Sequence, residues 1–491
     1  MPKGINYILP LLLSVVSWQL NAQNFNLSNH RTFANLLNKH VDTLENFHTS
    51  IRPFSKKELP QYDAIINSYP TKKASFIQNE HFVTNQKKTF LLDPVVNLGT
   101  TIEQKENTAK GLLERAIGFN IHYYLGEKWS SQVLFLSDHS SYPSHINSVV
   151  ATKNNSPGYG YSTANHSYYS QANITFTPSN VFAFQLGYGK NFIGDGYRSL
   201  LLSDNANSYP YLKITATVWK LKYMALYTNY QDIGSANGRM NNYFHKFSAT
   251  HYLSLNATKW WNIGLFESII WQAQEGDFYR GYDIHYINPL MILRPTEYAQ
   301  GSADNALIGS SMKFKIKKKN ILYTQLVLDE FLLREMTARN GWWANKYGYQ
   351  IGLKLYDVVG IKNATLQLEY NTVRPFTYSH SYTPTNVSTL QNYAHFNAPL
   401  AHPLGANFKE AMSSLSYQKK RWIVAAMATI AKVGFDTNAT TSVGQNVYLS
   451  NNWRAAFDAK RIIASRPIAE NQRPFARLHR RNPPAIAIRF T

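Results

Sequence analysis

Apolar and polar residues alternate one by one along much of this chain. In 349–356, Tyr349, Ile351, Leu353 and Leu355 fall on one side and Gln350, Gly352 and Lys354 on the other. In 364–371, Ala364, Leu366, Leu368 and Tyr370 alternate with Thr365, Gln367, Glu369 and Asn371. Two further runs, 312–317 and 322–328, are joined through Lys318-Lys319-Asn320. A period of two is that of a strand whose successive side chains point to opposite faces, so these segments predict strands with one apolar and one polar face. About fifteen such segments fit between Asp93 and Lys432; bacterial single-chain barrels have even strand numbers, so about sixteen or eighteen are expected.

Residues 23–90 follow another rhythm. Phe33, Leu36, Leu37, Val41 and Leu44 recur at helical spacing, which predicts an amphipathic helix near Asn29 to Asn46. Ser55 and Glu58 have the spacing of a capping box, and Tyr62, Ile65 and Ile66 would line a second, short helix. Pro53, Pro60 and Pro70 keep these pieces short. The segment reads as a small helical periplasmic subdomain.

Strands with one apolar face suit two architectures. A soluble sandwich or barrel buries that face; a membrane barrel turns it to lipid and keeps Lys313, Lys315 and Lys317 in a wet lumen. Loop lengths separate the two. The links near 318–320 and 357–363 are short, whereas those near 138–168, 190–210, 273–308 and 373–407 are long. Short periplasmic turns and long outer loops are the membrane-barrel pattern, and Trp260-Trp261, Trp271, Trp342-Trp343 and Trp422 at segment ends fit its aromatic girdles. The start of the chain agrees: Lys3, an apolar run from Ile5 to Leu20, then Asn21-Ala22-Gln23 read as a signal peptide over 1–22. The expected fold is therefore all-β, a transmembrane outer-membrane barrel over 91–453.

Composition modifies this picture in three places. Aromatic residues make up 14%, as girdles require. Cysteine is absent, which excludes disulfides and a lipid-anchored cysteine. The formal charge is +21, of which 454–491 carries +7 through eight Arg and Lys460 against Asp458 and Glu470. For an exported chain, acidic polysaccharide and lipopolysaccharide phosphate in the outer-membrane lipid are better partners than nucleic acid. The tail 454–491 is atypical: Arg replaces the Lys used upstream, and Pro467, Pro474, Pro483 and Pro484 interrupt it. It reads as a basic arm or as a frameshifted gene end, with Ala485 to Phe490 the only stretch fit to pair as a strand.

The longest informative stretch is a polar, Gly-rich excursion, 186–211, between the alternating runs 181–185 and 212–218. Its Gly194-Asp195-Gly196-Tyr197-Arg198 core groups a carboxylate, a ring and a guanidinium. Sugars are recognised by such sets, with an aromatic face for C–H surfaces and polar groups for hydroxyls. The candidate ligand-contacting residues are Lys190, Asn191, Asp195, Tyr197, Arg198, Asp204, Asn205, Trp342, Trp343 and His402. The competing reading is a structural, inward-folded loop in which Arg198 pairs with Asp195 or Asp204. His380, His395 and His402 lack the grouping of a metal site. Asp329, Glu330, Arg334 and Glu335 make either a hydrolytic carboxylate pair or a lumen ion-pair ladder. No Gly-x-Ser-x-Gly turn, phosphate loop or dinucleotide fingerprint is present, so neither an enzyme nor a cofactor is called for.

The excursion resembles the signature of the capsule-assembly Wzi family of outer-membrane barrels, in particular the RemB-like gliding motility proteins of Bacteroidetes. The likeness extends from Leu91 to about Leu449. It includes Asn262 to Glu267, Asn288-Pro289, Arg294-Pro295, 304–307, 328–331, 340–346, 373–380 and 399–408. The resemblance implies a barrel with a helical periplasmic piece and a lectin-like, non-enzymatic role, holding surface or capsular polysaccharide in capsule assembly or gliding. Gliding or export machinery proteins are then further partners. The tail departs from the pattern, since relatives continue with further strands. The alternatives are an outer-membrane porin or solute channel and an outer-membrane hydrolase.

Overall fold

A computed structural model describes residues 26–27, 31–59, 82–83, 90–105, 108–141, 155–156, 160–163, 166–233, 243–275, 278–289, 304–317, 319–329, 334, 337, 344–380, 391–419, 422–434, 442–449 and 487–490. One large antiparallel sheet closes into a barrel. Besides the short strands Phe82–Val83, Asn155–Ser156 and Gly160–Thr163, its strands are β1 (Phe90–Lys105), β2 (Thr108–Leu125), β3 (Trp129–Asp138), β4 (His166–Phe176), β5 (Phe182–Gly189) and β6 (Tyr209–Val218). They continue as β7 (Leu221–Asp232), β8 (Phe244–Asn256), β9 (Trp261–Gln272), β10 (Asn305–Ile316) and β11 (Asn320–Leu328). The last are β12 (Tyr347–Tyr356), β13 (Ala364–Val373), β14 (Phe408–Lys419), β15 (Trp422–Val433) and the short β16 (Ala487–Phe490). Each pairs with its neighbour in sequence, as in an up-and-down barrel. In the tail, β16 pairs with β15 from Met427↔Ala487 to Val424↔Phe490; the rest of 454–491 lies outside the described residues.

The alternation has the polarity of a barrel in lipid. Tyr349 and Ile351 face outward, 45% and 46% exposed, while Gln350 and Lys354 between and beyond them point into the lumen and are buried. Val96, Leu98, Ile102, Leu113 and Ile117 give β1 and β2 the same apolar outer face. At the short-turn end Trp129 stacks on Phe176, and Trp260, Trp261 and Phe314 stack together, as a girdle does. The chain is an outer-membrane β-barrel, and that is its location. Trp271 departs from the expected girdle. It sits on the outward face of β9 but is fully buried, because 278–289 folds back over the wall and packs Tyr282 and Tyr286 against it.

The lumen is filled, which corrects the expectation of wet lumen lysines. The N-terminal helix α1 (Arg31–Thr43) and the segment after it enter from the short-turn end. Lys354 Nζ and Tyr356 Oη of β12 donate to Asp42 Oδ2 at 3.1 and 2.6 Å. Lys313 donates to Thr49, and Lys315 to the carbonyl of Leu44; Lys317 lies exposed in the turn after β10. Lys222 pairs with Glu58, and Lys39 pairs with Asp357 beyond β12 at 2.7 Å. The Ser55–Glu58 capping box is present, but it caps a single 3-10 turn, Lys56–Glu58. The second helix expected around Tyr62 to Ile66 lies outside the described residues.

Candidate functional site

The excursion between β5 and β6 folds down into the lumen and meets the N-terminal plug there. Ile51 and Arg52 pair antiparallel with Ile193 and Phe192 as a two-residue ribbon inside the barrel. Gly194 N donates to the Ser50 carbonyl at 2.7 Å, and Thr49 donates to Asp195. Gly194 has φ +142°, and a Cβ there would lie 2.3 Å from Gln325 Nε2; only glycine fits this turn. The next turn rests on the barrel wall. Tyr197 N and Arg198 N donate to Glu369 Oε2 and Oε1 at 2.7 and 3.1 Å, so one carboxylate of β13 satisfies two successive amides. A Cβ on Gly196 would come within 2.6 Å of Glu369 Oε2, which is why that position is bare. Gln325 of β11 receives Leu200 N and donates to the Ile193 carbonyl.

After this turn, Leu200, Leu201 and Leu202 are fully buried in an apolar core within the lumen, beside Tyr209, Tyr378 and Leu400. Tyr378 Oη donates to the Leu200 carbonyl, and Ser203 N to the Leu400 carbonyl, both at 2.7 Å. Thus the loops after β5 and after β13 form one packed layer across the long-loop end of the barrel.

The candidate residues divide by exposure. Asn191, Asp195 and His402 are buried. Asn191 accepts from Lys213 Nζ at 3.2 Å. His402 Nδ1 accepts from Leu404 N, which places its proton on Nε2, 2.7 Å from Glu410 Oε2. Burial lowers the His402 pKa, with Glu410 opposing, so this ring is a neutral donor. Lys190, Tyr197, Arg198, Asp204 and Asn205 are partly exposed. Lys190 Nζ lies 5.6 Å from the Tyr169 ring centre and donates to the Asp204 carbonyl, while Asn205 Nδ2 donates to the Pro399 carbonyl at 3.0 Å. Arg198 stacks on its neighbour Tyr197, and its ion-pair partner is Glu410 of β14, 3.6 Å away. That corrects the expected pairing with Asp195 or Asp204: Asp195 is turned down to the plug, and Glu410 projects from the wall where the guanidinium ends. Trp342 and Trp343 lie outside the described residues, as do Glu330 and Glu335. Asp329 accepts from Tyr378 N at 2.7 Å, and His395 bonds Gln231 N and the Ser208 carbonyl, so both serve the loop layer.

The residues that hold the excursion, Gln325, Gln350, Glu369 and Glu410, were not singled out as site residues by sequence. Their place on polar strand faces was readable for Gln350 and Glu369; their partners 125 to 212 positions away were not.

No protein-family model matches the chain, and no curated protein does. Solved structures do. The Escherichia coli outer-membrane protein Wzi, involved in group 1 capsule assembly and described as a carbohydrate-binding β-barrel, superposes with a TM-score of 0.52 at 13% identity, over 85% of this chain and 87% of that one. The Pseudomonas aeruginosa proteins OccK2 (OpdF), in complex with glucuronate, and OpdK, with vanillate, give TM-scores of 0.35 and 0.36 at 11% identity. They cover 72% and 70% of this chain and 95% and 93% of their own. In fold, this protein is a Wzi-like outer-membrane β-barrel.

Proposed function

We propose that this barrel binds surface or capsular polysaccharide at the outer membrane without chemical turnover, in support of capsule assembly or of gliding motility. One observation carries the reading: the polar excursion 190–208 is fixed from below by the plug and from the side by the wall, and it leaves Lys190, Tyr197, Arg198, Asp204 and Asn205 partly exposed. A preformed surface of cations, amides and a ring suits a polyanionic sugar chain, because little ordering remains to be done on binding. Trp342 and Trp343 would add stacking faces, whereas Asn191, Asp195 and His402 keep the layer in shape. The carbohydrate-binding character of Wzi points the same way. The gliding role rests on the resemblance to RemB-like proteins. A lumen filled by the plug and by Leu200 to Leu202 disfavours a solute channel.

A panel of immobilised acidic and neutral surface polysaccharides tests this. The full chain should bind an acidic member, and Lys190→Gln with Asn205→Ala should bind it about tenfold less tightly. Absence of binding to every glycan on the panel would remove the proposal.

A further inference from the structure

The outer wall over β12–β15 differs from that over β7–β9. Register places four outward residues in a row at its long-loop end: Tyr349 opposite Thr372, Thr372 opposite Lys409, and Lys409 opposite Lys432. The two lysines are directly opposed on adjacent strands and exposed, and neither has an ion-pair partner among the described residues. Like charges so placed repel. The described outward residues of these four strands include no Asp or Glu to offset them. One pleat closer to the membrane centre, the row is Ile351, Tyr370, Ala411 and Ile430, and the next is Leu353, Leu368, Ser413 and Ala428. The small side chains Ala411, Ser413 and Ala428 floor an apolar furrow of about 510 Å³ between the ridges of Ile351, Leu368 and Ile430. From Lys409 to Leu415 a strand rises about 20 Å, the length of an extended acyl chain. Over β7–β9 the corresponding wall is covered by the protein's own 278–289; over β12–β15 no described residue covers it.

We propose that this face seats one phosphorylated, acylated lipid of the outer leaflet, its acyl chain in the furrow and its phosphate between Lys409 and Lys432. Charge complementarity and the position of the furrow on a lipid-facing wall select that occupant. The seat depends on the barrel fold alone and not on polysaccharide binding.

Native mass spectrometry of the full-length protein in detergent tests it, with bisphosphorylated lipid A, dephosphorylated lipid A and inorganic phosphate as separate probes. One lipid A should bind per chain. Lys409→Gln with Lys432→Gln should weaken it about tenfold, Lys409→Arg with Lys432→Arg should retain it, and Ala428→Leu, which fills the furrow, should also weaken it. Heat-modifiable migration should be unchanged in all of these, since the side chains point away from the protein. Equal binding of dephosphorylated lipid A, or wild-type binding by the Gln pair, would overturn the proposal. So would saturation by inorganic phosphate alone with no preference for the lipid.

Discussion

The lumen is closed by two bodies that are held in different ways. The N-terminal plug is fixed mainly by ion pairs to the wall: Asp42 with Lys354 and Lys313, Glu58 with Lys222, and Lys39 with Asp357. The loop layer is fixed mainly by wall side chains that satisfy its backbone, Glu369 and Gln325 above all, and by its own apolar core. Ion pairs in a buried setting are sensitive to the loss of one partner, whereas backbone satisfaction shapes a loop and tolerates little change in wall geometry. The plug is thus the pH- and charge-sensitive body, and the loop layer is the rigid one that presents a surface.

The largest effect on this contrast should come from Asp42→Ala. It leaves Lys354 and Lys313 buried without their carboxylate, a loss of about 3–5 kcal/mol of plug docking. Faster proteolysis of 31–59 in the folded barrel would report it. Glu369→Ala should come next, at about 1.5–3 kcal/mol, because two loop amides lose a charged acceptor. Here glycan affinity should fall while plug protection stays intact. The reverse pattern, plug release without loss of glycan binding, would break the comparison.

Acidification should act on the plug with smaller effect. His48 donates from one ring nitrogen to Ser254 Oγ at 2.8 Å and accepts from Asn256 at 3.2 Å. Burial, with Lys222 and Lys313 nearby, pushes its pKa down to about 3 from 6.5. A depressed folded-state value means that its contribution is complete above pH 6.5 and declines as pH falls toward 3. Burial alone would raise the Asp42 pKa, but the Lys354 and Lys313 ammonium groups, Tyr356 and Arg52 hold it below the usual carboxylate value. Its contribution is therefore present above that value and lost only in stronger acid. Proteolytic protection of the plug measured from pH 7 to pH 4 should fall in wild type, and less in His48→Gln, whose amide does not titrate.

The barrel was legible because lipid imposes one rule on every strand: Ile351, Leu353 and Leu368 face out, and Gln350, Lys354 and Glu369 face in. Helix α1 was legible for a similar reason, with Leu37 and Val41 buried at helical spacing. The filling of the lumen was not. Lys313 looks the same in a sequence whether it meets water or Thr49, and Ser199-Leu200-Leu201-Leu202-Ser203 gives no period that distinguishes an outer loop from a lumen core. Trp271 shows a further limit, since a girdle position and a position beneath a folded-back loop carry the same residue. The site was half legible: the excursion stood out, while the wall carboxylates that shape it, Glu369 and Glu410, depend on registers across distant strands.

The most direct test of a lumen closed from both ends is conductance of the purified full chain in planar lipid bilayers, beside Asp42→Ala. The account predicts no large steady conductance from the wild-type chain, and none from Asp42→Ala, in which the loop layer still spans the long-loop end. A large, steady conductance from the wild type would contradict it and make the protein a channel.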